Sequence, residues 1–148
     1  MTKPTKKQKL DNCYEAYHHA KHGTRPTRKA KDGSIPTHPV VSVPELPELG
    51  RGGVQDECCK WLKKHRIFHN SHACGDGPGH AIYGIKNSGD IHGILPDGRH
   101  LEIECKRGKG GRLSKGQQER MVDVRATNGV YLVVHGVSEL GYYFKNFI

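Results

Sequence analysis

Between residues 90 and 106 the chain places Asp90, Asp97, Glu102, Glu104 and Lys106, and Glu104-Cys105-Lys106 sets a carboxylate and a lysine two positions apart. On a strand, that spacing puts both side chains on one face. Carboxylate oxygens are hard ligands that suit Mg²⁺ or Mn²⁺, and a neighbouring ammonium orients a water or stabilises developing charge. Such a site needs a second carboxylate from upstream. Asp90 and Asp97 both qualify by type, and Asp97 follows Pro96. The choice between them depends on how the intervening chain turns.

Leu95-Pro96-Asp97-Gly98 suits a type I turn, with proline second and a glycine able to take a positive φ last. That combination predicts a three-residue hairpin loop between strands over Ile91–Leu95 and Leu101–Cys105. Its register pairs Leu95 with Arg99 and therefore Asp90 with Glu104. Side chains alternate, so Ile91, Gly93, Leu95, Leu101, Ile103 and Cys105 share one face. Asp90, His92, Ile94, His100, Glu102, Glu104 and Lys106 share the other. The apolar residues sort to one side, which supports the register.

Directly opposed residues have Cβ atoms about 4.5–5.5 Å apart. Asp90 and Glu104 are thus predicted to chelate one divalent ion, with Lys106 further along the same face. Asp97 lies at the turn tip, roughly 20 Å away at ~3.3 Å per residue. A solvated strand face of mixed charge is the plainer reading of the pattern. However, two adjacent carboxylates repel unless a positive charge sits between them.

Beyond Lys106 runs RGKGGRLSKGQQER. Arg107, Lys109, Arg112 and Lys115 on this glycine-rich stretch are candidates to track a phosphate backbone, or else belong to a solvated loop. Ser114-x-x-Gln117 is a capping box, which accounts for both residues structurally. Gln117, on the first helical turn, can also face the hairpin. The sequence leaves both roles open.

The whole chain fits this chemistry. Its 148 residues carry 24 Lys and Arg against 15 Asp and Glu, a formal charge of +9. Such an excess favours polyanions, nucleic acid first. No apolar run approaches the ~20 residues that span a bilayer, and no apolar leader is visible. The five cysteines, Cys13, Cys58, Cys59, Cys74 and Cys105, are odd in number and contain no C-x-x-C pair. A disulfide framework is not expected, and a soluble, cytoplasmic chain is.

The elements that would position the site follow from periodicity. Residues 1–47 hold six of the eight prolines, nine Lys or Arg and four acids. Apart from a short helix around Gln8–Ala20, they read as a basic, extended arm, with ordered structure expected from about Gly50 in a domain over 48–148. Val54, Cys58, Trp61 and Leu62 form one stripe of a helix over Val54–Lys64. Residues 67–79 read as an irregular strand and a loop. Ser114–Thr127 is a second helix, stopped by Asn128-Gly129. Val130–Val134 reads as a buried strand, and Tyr142–Phe147 as an added edge element. The expected class is α/β, a mixed sheet flanked by helices.

Taken in order, Gly89-Asp90-Ile91, Ile103-Glu104-Cys105-Lys106 and Leu113-Ser114-x-x-Gln117 resemble the VRR-NUC branch of the PD-(D/E)xK nucleases, particularly its small stand-alone phage-type members. The likeness extends back through Cys59-Lys60-Trp61-Leu62 and Asn70. It runs on through Asn128-Gly129-Val130 to Ser138-Glu139-Leu140. It implies a restriction-endonuclease-like core that cuts DNA phosphodiesters with Mg²⁺ or Mn²⁺, structure-selectively on branched DNA and as a homodimer. Asp90, Glu104 and the Cys105 carbonyl would hold the metal, Lys106 would act on the attacking water, and Gln117 would support the site. The family's usual glutamate at the start of the first helix falls near Gly53. Here the nearby acids are Asp56 and Glu57, of which Glu57 lies one turn from Gly53 on the same face, with Glu48 as another possibility.

Two other functions compete. One is a catalytically silent nucleic-acid-binding module of the same fold, which would tolerate separation of Asp90, Glu104 and Lys106. The other is a zinc-stabilised interaction protein. His69-x-x-His72-x-Cys74 with His80 offers four ligands for it, though in no established finger spacing, and Cys13 with His18, His19 and His22 is a weaker set.

The register yields a direct test. Asparagine preserves size but removes the charge that a hard cation needs. Asp90→Asn should weaken Mg²⁺ binding, measured by calorimetry, and abolish any activity that depends on it. Asp97→Asn should change little, because asparagine also suits a turn. The reverse outcome would overturn both the register and the site.

Overall fold

The computed structural model describes residues 31–71 and 87–148. In chain order the elements are β1 (Ile35–Pro36), α1 (Val54–Lys64), β2 (Phe68–Ser71), β3 (Ile91–Ile94), β4 (His100–Cys105), β5 (Arg112–Leu113), α2 (Lys115–Ala126), β6 (Val130–Val134) and α3 (Val137–Asn146). A four-stranded sheet has the order β2-β3-β4-β6. The pairs β2–β3 and β3–β4 are antiparallel and β4–β6 is parallel, so the sheet is mixed and the fold is α/β.

The hairpin has the expected register: Ile91 faces Ile103, His92 faces Glu102 and Gly93 faces Leu101. At the turn, Gly98 has φ +90° and donates to the Leu95 carbonyl, while Leu95 donates to the Arg99 carbonyl. Asp97 accepts from the Arg99 backbone at 3.0 Å and from its guanidinium at 2.7 Å. It is a turn residue.

The sheet is covered on both sides. Ile91, Leu95, Leu101, Ile103, Cys105, Leu132 and Val134 pack with Val54, Cys58 and Leu62 of α1 and Leu140 of α3. Trp61 bridges the two helices, with its ring centroid 5.1 Å from that of Phe144. On the opposite face, Tyr131 and Val133 pack with Met121 and Val124 of α2. The acidic face of β4 therefore lies beneath a helix, and Glu102 and Glu104 are only 0% and 2% exposed. The solvated-face alternative does not describe this strand.

Two sequence expectations need correction. Tyr142–Phe147 is not an added edge element: Tyr142–Asn146 is the second half of α3 and Phe147 its C-cap, and Leu140, Tyr143 and Phe144 fall at helical spacing on the core. The ordered region also starts well before Gly50. Within the stretch expected to be an extended arm, Ile35, Thr37 and Val40 are buried. There β1 pairs with β5, Thr37 N–H donates to the Gly111 carbonyl, and Val40 N–H donates to the buried Glu139 carboxylate. This segment is part of the domain. The expected helix over Gln8–Ala20 and most of the loop expected after Ser71 lie outside the described residues.

Truncating Ile35 or Val40 to alanine should cost about 1–3 kcal/mol each in urea unfolding, as for other buried aliphatic side chains. An arm detached from the core would show no loss.

Candidate metal centre

Three carboxylates converge beside the end of β4. Asp90, immediately before β3, Glu104 on β4 and Glu48 on the chain entering α1 each offer an oxygen, and these lie within 4.8 Å of one another. Asp90 is fixed by the Cys105 N–H, which donates to its Oδ2 at 2.8 Å. Gly89 eases this: a Cβ there would lie 3.0 Å from the Ile103 carbonyl oxygen, so a larger residue would push the β3 entry away from β4.

Glu48 is placed by helix capping. The first turn of α1 has no side-chain cap. Instead, Val54 N–H donates to the Pro47 carbonyl at 2.9 Å and Gln55 N–H to the Glu48 carbonyl at 3.1 Å. These bonds satisfy orphan donors of the helix start and wrap residues 47–49 against it. A Cβ at Gly53 would meet the Leu49 carbonyl oxygen at 2.7 Å, so position 53 cannot carry an acidic side chain in this arrangement. Glu48 occupies the neighbourhood instead. Glu57, the acid preferred from helical spacing, is elsewhere: it pairs with Lys60 at 3.3 Å on a solvent-facing part of α1.

On the other side of Glu104, Lys106 and Gln117 share one of its oxygens. Lys106 Nζ donates to Oε1 at 3.0 Å and Gln117 Nε2 donates to it at 2.7 Å. Lys106 Nζ also donates to Gln117 Oε1 at 3.1 Å. The capping box is present as well: Ser114 Oγ accepts from Gln117 N–H, and Gln117 Oε1 accepts from Ser114 N–H. The two roles that the sequence left open for Gln117 thus coexist, because one amide oxygen serves the cap and Lys106 while the amide nitrogen reaches Glu104.

The second oxygen of Glu104 is different. Oε2 is buried and has no hydrogen-bond partner. Burial, together with the nearby charges of Asp90 and Glu48, pushes the Glu104 carboxyl up to about 7 despite Lys106. Burial and Asp90 also raise Glu48. Buried polar atoms without partners are rare and expensive in folded proteins. Three oxygen donors, an unpartnered anionic oxygen and a local excess of negative charge fit a divalent cation. Cys105, the other expected contributor, has its thiol in the core and is next to Glu104 along the strand.

One pleat away, Glu102 is fully satisfied. Burial alone would raise its pKa, but Arg120, the Gly89 N–H and His100 outweigh that and hold it at about 2. Arg120 Nη2 donates to Oε2 at 2.7 Å. The sequence placed Glu102 on the right face but gave no sign of this clamp. Gln117 and Arg120, three apart on α2, reach the two glutamates two apart on β4.

The basic residues proposed for phosphate contact divide. Arg112 donates to Ser34 Oγ at 2.8 Å and to its carbonyl at 3.0 Å, which ties it to the N-terminal segment. Arg107 is exposed and closes its own loop on the Gly110 carbonyl, Lys109 lies 3.8 Å from Glu45, and Lys115 is exposed. Of the proposed zinc ligands only His69 is described, with Nδ1 2.8 Å from the Ile67 carbonyl oxygen. His72, Cys74, His80, Cys13, His18, His19 and His22 lie outside the described residues. No family model matches the chain, and comparison with curated proteins and with solved structures finds no match to it.

The raised Glu104 pKa has a definite sign in stability. Between the ordinary value of 4.5 and about 7 the folded state binds more protons than the unfolded state. The stability it contributes is fully present below pH 4.5 and is lost as pH rises through about 7. Urea unfolding in EDTA should show a decline on the order of 3 kcal/mol across that window. Excess Mg²⁺ should offset the decline, and Glu104→Gln should abolish it. An equal decline in Glu104→Gln would assign the effect to another group.

Proposed function

We propose that this protein is a divalent-metal-dependent DNA endonuclease. The observation that carries the reading is the clustering of Asp90, Glu48 and Glu104, whose buried Oε2 has no partner while Lys106 and Gln117 are held against Oε1. The silent binding module tolerates separation of these residues. Their convergence, under a helix that could have buried apolar side chains instead, favours the enzyme.

In this reading Asp90, Glu104 and Glu48 hold Mg²⁺ or Mn²⁺, with the Cys105 carbonyl as a further oxygen. The bound ion supplies Lewis acidity, making water more acidic and screening phosphate charge. Lys106 positions the attacking water or stabilises charge on the phosphate, and Gln117 fixes the Lys106 ammonium and the Glu104 carboxylate relative to one another. Water adds to phosphorus, a P–O ester bond breaks and the leaving alcohol takes up a proton. Exposed Arg107, Lys109 and Lys115 are the residues offered to the phosphate backbone in this reading. The resemblance to the small VRR-NUC nucleases supports branched DNA as the substrate and a homodimer as the working form. The basic charge of +9 supports a nucleic-acid partner in general.

The test is cleavage of duplex, flap, single-stranded and four-way-junction DNA with Mg²⁺, Mn²⁺ or EDTA. Lys106→Ala should lower turnover by roughly 10²–10⁴-fold, the usual range for a group acting on a transferred proton, with DNA affinity near normal. Undiminished turnover would remove Lys106 from the mechanism. Absence of cleavage across the whole panel, in protein shown to be folded, would leave the silent module.

A further inference from the structure

The acid group is not the only set of donors on this face of the sheet. We propose that His92, His100 and Glu102 form a separate binding site for a transition-metal ion that accepts imidazole nitrogen, Zn²⁺ first. His92 on β3 is the cross-strand partner of Glu102, and His100 precedes Glu102 by two residues on the same face of β4. One atom from each lies within 4.8 Å of the other two. His100 Nε2 is 2.6 Å from Glu102 Oε2, and His92 Nε2 is 3.6 Å from Oε1.

A tetrahedral ion with bonds of about 2.1 Å holds its ligands about 3.4 Å apart. The observed separations bracket that value, so small ring rotations suffice. The two rings stand edge to face, with centroids 5.6 Å apart, and are not stacked on one another. Exposure is graded: the Glu102 side chain is 0% exposed, His92 21% and His100 44%. An ion entering from solvent would meet the imidazoles first and the buried carboxylate last, leaving an outward position for water.

Glu102 is already oriented for this. Arg120 and the Gly89 N–H hold its carboxylate from the helix side and from the β3 entry, the role outer hydrogen bonds play around a ligating carboxylate. Without an ion, the contact between His100 and Glu102 is a proton-mediated one. An ion would take the place of that hydrogen bond, with Glu102 offsetting its charge only in part. Arg120 opposes a cation by its charge, which makes the site weaker than a structural zinc finger.

The two donor sets sort ions by chemistry. Three carboxylates suit hard Mg²⁺, whereas two imidazoles and one carboxylate suit Zn²⁺, Co²⁺ or Ni²⁺. The two groups share no residue. The nitrogen-rich site cross-links β3, which Asp90 immediately precedes, to β4, which carries Glu104. This inference stands whether or not the chain cuts DNA.

Co²⁺ is the probe, because its visible absorption reports nitrogen ligation, with Zn²⁺ competition giving affinity. Chelator-treated full-length protein should bind Co²⁺ in the presence of excess Mg²⁺, and Asp90→Asn should leave that signal intact. His92→Gln and His100→Gln should each weaken Zn²⁺ binding by more than the ~10–100-fold typical of an outer-shell partner. Circular dichroism checks that the variants are folded, and His100 is exposed enough for its replacement to be tolerated. Unchanged Zn²⁺ affinity in His100→Gln would overturn the proposal. So would loss of the signal in a His72→Gln, Cys74→Ser variant while His92→Gln retains it.

Discussion

Two glutamates stand side by side on the inner face of the central strand, and each has to be reconciled with burial beneath α2. An ionised carboxylate without partners in such a place costs several kcal/mol. The helix resolves this unevenly. Arg120 and the Gly89 N–H complete the shell of Glu102, which stays ionised with a pKa of about 2. Gln117 and Lys106 complete only one oxygen of Glu104, whose pKa rises to about 7. Two carboxylates of one strand, a single pleat apart, thus have environments that push their pKa values in opposite directions. Such a division is a frequent mark of a working site beside a structural one. Glu102 locks the helix to the sheet, and that lock presents Gln117 to Glu104.

The position of α2 rests in turn on the segment before the first helix. β1 pairs with β5, which leads directly into the Ser114 cap. Arg112 of β5 holds Ser34, and Gln118 Nε2 donates to the Gly33 carbonyl. Behind this ribbon, Thr37 Oγ1 is 2.8 Å from His135 Nε2, and His135 Nδ1 is 3.0 Å from Glu139 Oε1. All three side chains are buried. Glu139 also accepts from the His135 and Val40 backbone N–H groups. One buried carboxylate at the start of α3 therefore ties β6, α3 and residues 37–40 together. The chain on which Glu48 lies runs on from this anchored stretch, so the third acid depends on it as well.

The parts of this arrangement that the sequence made legible are those set by local chemistry. Pro96-Asp97-Gly98 fixed the turn, the turn fixed the register, and the register distinguished Asp90 from Asp97. Helix limits at Val54–Lys64 and the Ser114 cap followed from stripe and capping box. What was not legible depends on contacts distant in sequence. Residues 34–40 look like an arm, being polar and rich in proline, and become ordered through Gly111, Leu113, His135 and Glu139. The preference for Glu57 assumed that the helix itself supplies the acid. The structure uses carbonyl capping by residues 47–48, for which the close approach at Gly53 was the available sign. Tyr142–Phe147 reads in sequence as an added edge element, whereas the spacing of Leu140, Tyr143 and Phe144 carries a helical signal.

The charge layout bears on how a polyanion could reach such a site. Under the proposed reading a phosphate must approach Asp90, Glu48 and Glu104, and each carboxylate at 4 Å would repel it by ~1 kcal/mol in water and ~4 kcal/mol near a protein surface. The exposed rim of Arg107, Lys109 and Lys115 can hold flanking phosphates, but it does not remove that central repulsion. Lys106 cannot remove it either, since its ammonium is already shared between Glu104 and Gln117. A divalent cation among the three carboxylates, together with Lys106, would bring the local charge to about neutral. In the absence of such an ion, the proposed reading has the basic chain associate with nucleic acid around the site but not through it. Under the proposed reading, binding and chemistry are therefore separable: the exposed basic residues would govern the first, and occupancy of the acid cluster the second.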